Sequence, residues 1–431
     1  IDRDTRDWNN PGRSAITAQN GGTVQAPLMT TLSAVQLNLN GTGVFPIAQI
    51  TSLTSGNIMM SGADYAFPSL TNAGSTAFTV DGISASFPLV TNLVGSTITL
   101  NGGQIDLSAV TNANGARFFV SQGATLSLPA LTSYTHTSGG TSTFRATGSG
   151  SVIDLRNVTL LTGGDGIDQR VVIEALSGGV VDLRGVTDII DPETGDTRGR
   201  SISVRADGSN SLVNLSSLRN FIDRDTRDWN NPGRSAITAA NFGVVMLNDV
   251  QTVLINVTTT ESNNGVILGN YGMRASALPP AGSPPADTLD YASLMWVVDA
   301  AITMWHQAGI PLEAINLLRE LEFRIMDLPG AYLGHYSGNV IWIDSTAAGY
   351  GWFVDLTPWD DEEFDSAGRA LSGGLADSKI DLLTVVLHEL GHALGLGHSD
   401  DPDSLMFDLL EPSHRRRIRA TDVDSWFASQ G

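Results

Sequence analysis

The 431-residue chain has no cysteine, so disulfides and thiolate metal ligands are both excluded, and cysteine usage gives no clue to redox compartment. It also has a single lysine, Lys379, and its 24 basic side chains face 45 acidic ones for a formal net charge of −21. That balance repels nucleic acid and attracts cations, calcium among them. No apolar run approaches the roughly 18 residues of a transmembrane helix, so no membrane span is expected. Residues 1–20 lack the basic-then-apolar pattern of a signal peptide, and Ile1 is not a natural start. The chain therefore reads as a mature or excised piece of a larger precursor. The acidity is uneven, with 24 acidic against 9 basic side chains from residue 266 onward. Together with the length, this predicts a multidomain chain.

The first two thirds repeat. Residues 1–18 recur unchanged at 222–239, which suggests that the natural protein continues before Ile1 with more of the same array. A finer period runs beneath, through Ala26, Ile47, Phe67, Phe87, Leu107, Leu128, Leu155, Leu183, Leu215 and Leu247, with gaps that grow from 20 or 21 to 32 residues. Three residues after most of these anchors stands another aliphatic, as at Leu70, Val90 and Val158. The alternation before them (Ile105/Leu107, Leu126/Leu128, Val213/Leu215) is that of strands with one face inward. Period two with Gly, Asn and Ser corners predicts an all-β parallel β-solenoid of about ten coils over residues 1–277, its growth absorbed by one lengthening loop through 191–200 and 223–234. A leucine-rich-repeat horseshoe has similar periods and is the rival, although its Leu-x-x-Asn/Cys signature is missing. Outward Asp154 and Asp182 would stack on neighbouring coils, either as a solvated ladder or as a carboxylate pair for calcium or acid/base work. Trp8 and Trp229, in the duplicated loop, are candidate contacts for sugar or protein, or else packing residues. Residues 278–286, with four prolines in LPPAGSPPA, read as a stiff linker, and 287–431 as a separate domain.

In that last domain, His388-Glu389-Leu390-Gly391-His392 places two imidazoles four residues apart on one face of a helix, where both reach one metal ion. Leu382–Leu387 is apolar and suits a buried helix, with Asp381 near its start favourable to the helix dipole. Gly395 can end that helix in a left-handed conformation and turn the chain back, so that His398 supplies a third nitrogen. Three nitrogen ligands and an open fourth position are what a catalytic zinc requires, and Glu389 stands beside them as general base for a water. Upstream, Asp290–Gly309 carries Leu294, Val297, Val298, Ala301, Ile302 and Trp305 at helical spacing, and Glu322–Asp327 and Asn339–Asp344 alternate like strands. The other histidines, His136, His306, His335 and His414, read as ordinary core, helix or loop residues.

The pattern H-E-x-x-H-x-x-G-x-x-H over His388–His398 resembles the metzincin zinc endopeptidases at all five fixed positions. Met406 within Ser404-Leu405-Met406-Phe407 looks like the methionine turn that underlies the zinc site in that clan. Ser399 narrows the resemblance to matrixins, and residues 419–427 resemble the closing helix of a matrixin catalytic domain, so the likeness runs from about 287 to 427. The run at 327–364 is similar to matrixin-like modules at the ends of large repetitive bacterial surface proteins. The resemblance implies an α+β domain holding zinc through His388, His392 and His398, with peptides or proteins as substrates and a secreted or cell-surface location. It also implies that the segment after Met406, which includes Arg415–Arg417, walls the substrate pocket. The chain departs from the family in lacking a cysteine for latency and a histidine cluster for structural zinc; Asp355, Asp360, Asp361, Glu362, Glu363 and Asp365 are the hard ligands available for calcium. A second reading stays open: a structural or adhesive surface protein, self-assembling through its solenoid, whose protease domain is self-processing or inactive.

Overall fold

The computed structural model describes residues 14–137, 139–196, 198–224, 235–248, 252–269, 272–337 and 339–429. Trp8 and Trp229, the candidate contacts in the duplicated loop, lie outside these residues. The chain divides into two compact units, Ile1–Asn270 and Tyr271–Gly431.

The first unit is a parallel β-solenoid. Eleven strands, from Ala15–Ala18 to Thr258–Ser262, stack in chain order into one sheet, and nine, from Tyr65–Ala66 to Val266–Leu268, into a second. In both, like positions pair coil on coil, as Ala77 with Thr97 and Thr97 with Arg117. At about 4.8 Å per strand the stack is about 50 Å long. There is no horseshoe: the described residues of this unit hold one three-residue 3-10 helix, Ile47–Gln49, and otherwise strands and turns. The Leu-x-x-Val spacing has a direct cause. From Phe67 to Leu215 the carbonyl of each anchor accepts the N–H three residues on, Phe87 from Val90 at 3.2 Å and Leu183 from Val186 at 2.9 Å, so a tight turn points both side chains into the core. Aromatic residues stack along the interior, Phe67 on Phe87 at 5.0 Å and Phe118 on Phe144 at 5.1 Å.

Three details differ from the sequence reading. Ala26 and Ile47 are only partly buried, and Phe45 fills the core position near the second of them. The growth of the coils goes partly into a third, five-stranded sheet, Ser133–Thr135 to Val253–Ile255, and only then into the expected loop, between strands Asp188–Asp191 and Ser201–Asp207 in the best-described case. An additional coil, formed by Thr258–Ser262 and Val266–Leu268, follows the last anchor. Asp154 does pair with Asp182 in register, but each carboxylate is matched by an arginine two residues on: Arg156 at 2.8 Å, and Arg184 in the next coil. The stack is a charge-compensated ladder on a polar face.

The second unit packs helices on a small sheet. Helix α1 (Tyr291–Gln307) begins at Asp290, whose carboxylate accepts the Ser293 N–H at 2.9 Å, and buries the face carrying Leu294, Val297, Val298, Ala301, Ile302 and Trp305. Gly309 closes it at φ 112°, and α2 (Leu312–Arg319) follows. Strand Val340–Asp344 is central, with Glu322–Met326 parallel on one side and Gly334–Ser337 antiparallel on the other, where the sheet ends. Helix α3 (Leu382–Ala393) is buried along its length from Leu382 to His392, and α4 (Ala420–Ser429) ends the described chain. The unit begins before the proline-rich stretch. Strand Arg274–Ala275 pairs with Leu409–Leu410, and Pro279, Pro280, Pro284 and Pro285 line a cavity with Tyr350 and Trp352.

We expect Leu183→Ala, at a fully buried position, to destabilise the solenoid by about 2–5 kcal/mol. In a stack where each coil touches only its neighbours, amide exchange should accelerate first around Leu155 and Leu215, the flanking core positions, and not uniformly.

Candidate functional site

Both ends of α3 are fixed by named contacts. At its start Asp381 accepts the Thr384 N–H at 3.1 Å and the Thr384 hydroxyl at 2.6 Å. At its end Gly395 adopts φ 92°; its N–H donates to His392 O at 2.8 Å and that of Leu396 to Gly391 O at 2.9 Å, the paired bonds of a Schellman turn. The turn brings His398 back to the helix. The Nε2 atoms of His388 and His392 lie 3.0 Å apart, and those of His392 and His398 3.1 Å. Among the described residues this triad is the one group of three side chains placed to hold a metal ion.

The protonation of the rings follows from their partners. His388 Nδ1 meets the Leu405 carbonyl and His392 Nδ1 the Leu396 carbonyl, each at 2.8 Å, and a carbonyl can only accept. Each Nδ1 therefore carries the proton, and the Nε2 lone pairs face one another. Burial favours this neutral form: it pushes His392 down to about 3 and, with the neighbouring imidazole charge, holds His388 well below the ordinary histidine range. The His388 and His392 lone pairs, which converge with no hydrogen between them, are relieved by a cation, and His398 Nε2 stands beside them. Four-coordinate zinc with Zn–N near 2.0–2.1 Å sets nitrogens roughly 3.3 Å apart, close to the spacing here. An all-nitrogen set suits zinc and not calcium.

Glu389 lies fully buried beside the triad, and burial raises its carboxyl to about 8, against the opposing pull of the Met273 and Tyr336 amides. Its Oε1 accepts the Met273 N–H at 2.9 Å. Met406 is buried beneath the site: its Sδ would lie 2.5 Å from a Cβ placed on Gly391, so only glycine fits there. Met406 is held in turn by its carbonyl, which accepts Ser399 N–H at 2.9 Å, and by Ser404 Oγ at 3.1 Å. Trp305 of α1 donates Nε1–H to Leu387 O at 3.1 Å, fastening α3 from behind.

The acidic run does not form a cation shell. Asp355 is buried against Arg415 at 2.7 Å, Asp361 pairs with Arg415 and Arg417, and Asp365 accepts the amides of Ala367 and Arg369. The arginines are likewise not a solvated row. Arg415 is buried between Asp355 and Asp381 with its guanidinium 4.2 Å from the Phe364 ring centroid, and Arg416 is buried donating to the carbonyls of Phe407 and Leu409. Two features escaped the sequence reading. His335, taken as a loop residue, is buried on the edge strand, and Met273, taken as part of the solenoid, reaches Glu389. Neither carries a local signal, since each contact joins residues far apart in the chain.

Comparison with known proteins agrees with this geometry. Residues 242–427 match the family model described as matrixin. Mouse (Mus musculus) matrix metalloproteinase-25 is 50% identical over 46 residues, 11% of this chain and 8% of that protein. Cat (Felis catus) matrilysin is 33% identical over 135 residues, 28% of this chain and 43% of its own length. Soybean (Glycine max) metalloendoproteinase 1 is 34% identical over 67 residues, 15% and 22% respectively. The chain spans less than half the length of each of these relatives. No solved structure matches it. Fold and matches together make the C-terminal unit similar to a metalloprotease domain. More particularly, the C-terminal unit is a matrixin-like metzincin domain, and that family implies zinc.

Arg415→Met would leave Asp355 and Asp381 buried without their cation. We expect a cost of about 3–5 kcal/mol, read from urea unfolding by tryptophan fluorescence, since six of the eight tryptophans belong to this unit. A loss under 1 kcal/mol would mean that this network does not anchor α3.

Proposed function

We propose that this protein is an extracellular zinc endopeptidase carried on a β-solenoid stalk. His388, His392 and His398 hold the metal and Glu389 is the catalytic base. The observation that carries the reading is the meeting of three imidazole Nε2 atoms beside a buried carboxylate. When bound, zinc supplies a Lewis acid that polarises the scissile carbonyl and acidifies a water toward pH 7. The chain's own residues do the rest. The Leu405 and Leu396 carbonyls fix the ring tautomers and aim Nε2 at the metal position. Glu389 takes a proton from the attacking water and delivers it to the leaving amine, a transfer its buried position keeps from bulk solvent. Met406 and Trp305 stop the helix from shifting beneath these groups. The solenoid, a uniform stack with no gathered site of its own among its described residues, serves as a spacer that presents the domain at a distance. Its length also supports a second reading, in which the array is chiefly structural or adhesive and the protease serves it.

Metal analysis of the purified chain should find about one zinc, lost in His392→Ala. Glu389→Ala should keep the zinc and lower peptide cleavage by roughly 10²–10⁴-fold. Zinc with no cleavage in the wild type would move the weight to the structural reading, and absence of zinc would remove the site assignment.

A further inference from the structure

We propose that the exposed turn Thr357–Asp360 and the groove beside it form a docking site for a cationic peptide segment that carries apolar side chains. None of its residues is a metal ligand, and it stands independently of the peptidase reading. The turn has Pro358 at its second position and Trp359 at its third, and it closes through the Asp360 N–H, which donates to Thr357 O at 3.2 Å. It is held from beneath. Asp355 Oδ1 accepts the Thr357 N–H at 2.8 Å, and Arg417 donates to Pro358 O at 3.1 Å and to Asp360 O at 3.0 Å. These contacts fix the main chain and leave Trp359 56% exposed. A large apolar ring held rigidly in water adds little to the fold. The same rigidity favours binding, because an anchor already in place loses little freedom when a partner covers it.

The groove supplies the apolar half of the site. Trp359 lines it with Met304 and Ala308 from the end of α1, Leu387 from α3 and Ile418 from the segment before α4, around a volume of about 430 Å³. An aliphatic side chain laid there takes its own surface and that of the groove out of water.

The rim supplies the charge. Asp360, Asp361 and Glu362 follow the ring directly and are all exposed, while Arg417 beside them is already engaged by Asp361 and the turn carbonyls. Negative charge is therefore in surplus at the mouth of the groove. From residue 266 onward 24 acidic side chains face 9 basic ones, so a cationic partner is also drawn in at long range. A guanidinium over the open face of Trp359 is attracted by the ring and by the neighbouring carboxylates. An anionic lipid surface is repelled by the same rim, and so is a second copy of this chain, whose net charge is −21. The partner is a peptide segment in which basic and aliphatic residues lie side by side.

The test is fluorescence anisotropy of a labelled probe, Arg-Leu-Arg-Arg-Leu-Arg, titrated with the full chain carrying Glu389→Ala so that the probe is not consumed. A cooperative urea transition and retained zinc check that each further variant is folded. We expect saturable binding that weakens at least tenfold in Trp359→Ser, at least threefold in the double variant Asp360→Asn/Glu362→Gln, and at least tenfold when serine replaces leucine in the probe. A probe with glutamate in place of arginine should not bind. No saturable binding before Trp359 is changed, or equal binding after it, would overturn the site; the second result would mean attraction to the acidic unit at large or to another cleft. Equal binding of the serine probe would remove the groove from the argument and the proposal with it. If sedimentation shows a dimer that Trp359→Ser makes monomeric, a second copy fills the groove and the proposal fails.

Discussion

One buried carboxylate, Asp381, sets the position of the site. It caps the helix that carries two of the three imidazoles, and with its remaining capacity it binds Arg415 at 2.8 Å. Arg415 passes the constraint to Asp355 at 2.7 Å, at the end of the strand before the acidic loop. The next residue passes it the other way. Arg416 donates its backbone N–H to Thr384 Oγ1 at 2.9 Å and its guanidinium to the carbonyls of Phe407 and Leu409. The helix start, the methionine turn and the wall beside residues 272–276 are thus tied through two adjacent arginines. Burying these charges costs desolvation energy that only good geometry repays. A network of this kind tolerates little displacement, which is what a site built from three separate chain segments requires.

The solenoid solves a different problem with the same chemistry. Each strand satisfies its backbone through the coils above and below, and charged side chains pair across or beside the ladders. Asp191 and Asp223 stack in register on the inner side of the growing loop, both buried, with Arg200 lying 3.6 Å from Asp191 and Ser235 donating its N–H to Asp223 at 2.9 Å. The ladder of Asp154 and Asp182 uses arginines two residues on, at the surface, where such pairs are worth little individually. Loop excursions therefore fit into the array without breaking the ladders that carry its stability.

What the sequence revealed was set by how local each interaction is. Alternation at Val213/Leu215 and the three-residue step from anchor to aliphatic are short-range patterns, and the fold keeps both. The His388–His398 spacing is equally local, because helix periodicity and one glycine turn bring its three rings together. The burial of the arginines was not legible, on the same ground. Three in a row suggest solvent, and the burial of Arg415 depends on Asp355 and Asp381, 60 and 34 residues upstream. The third sheet was hidden because its three- and four-residue strands have too few alternations to show a period.

Residues 272–276 show how far this limit reaches. Nothing in Gly-Met-Arg-Ala-Ser marks a strand, yet the segment makes main-chain hydrogen bonds to residues on either side of it and one to Glu389, 116 positions away.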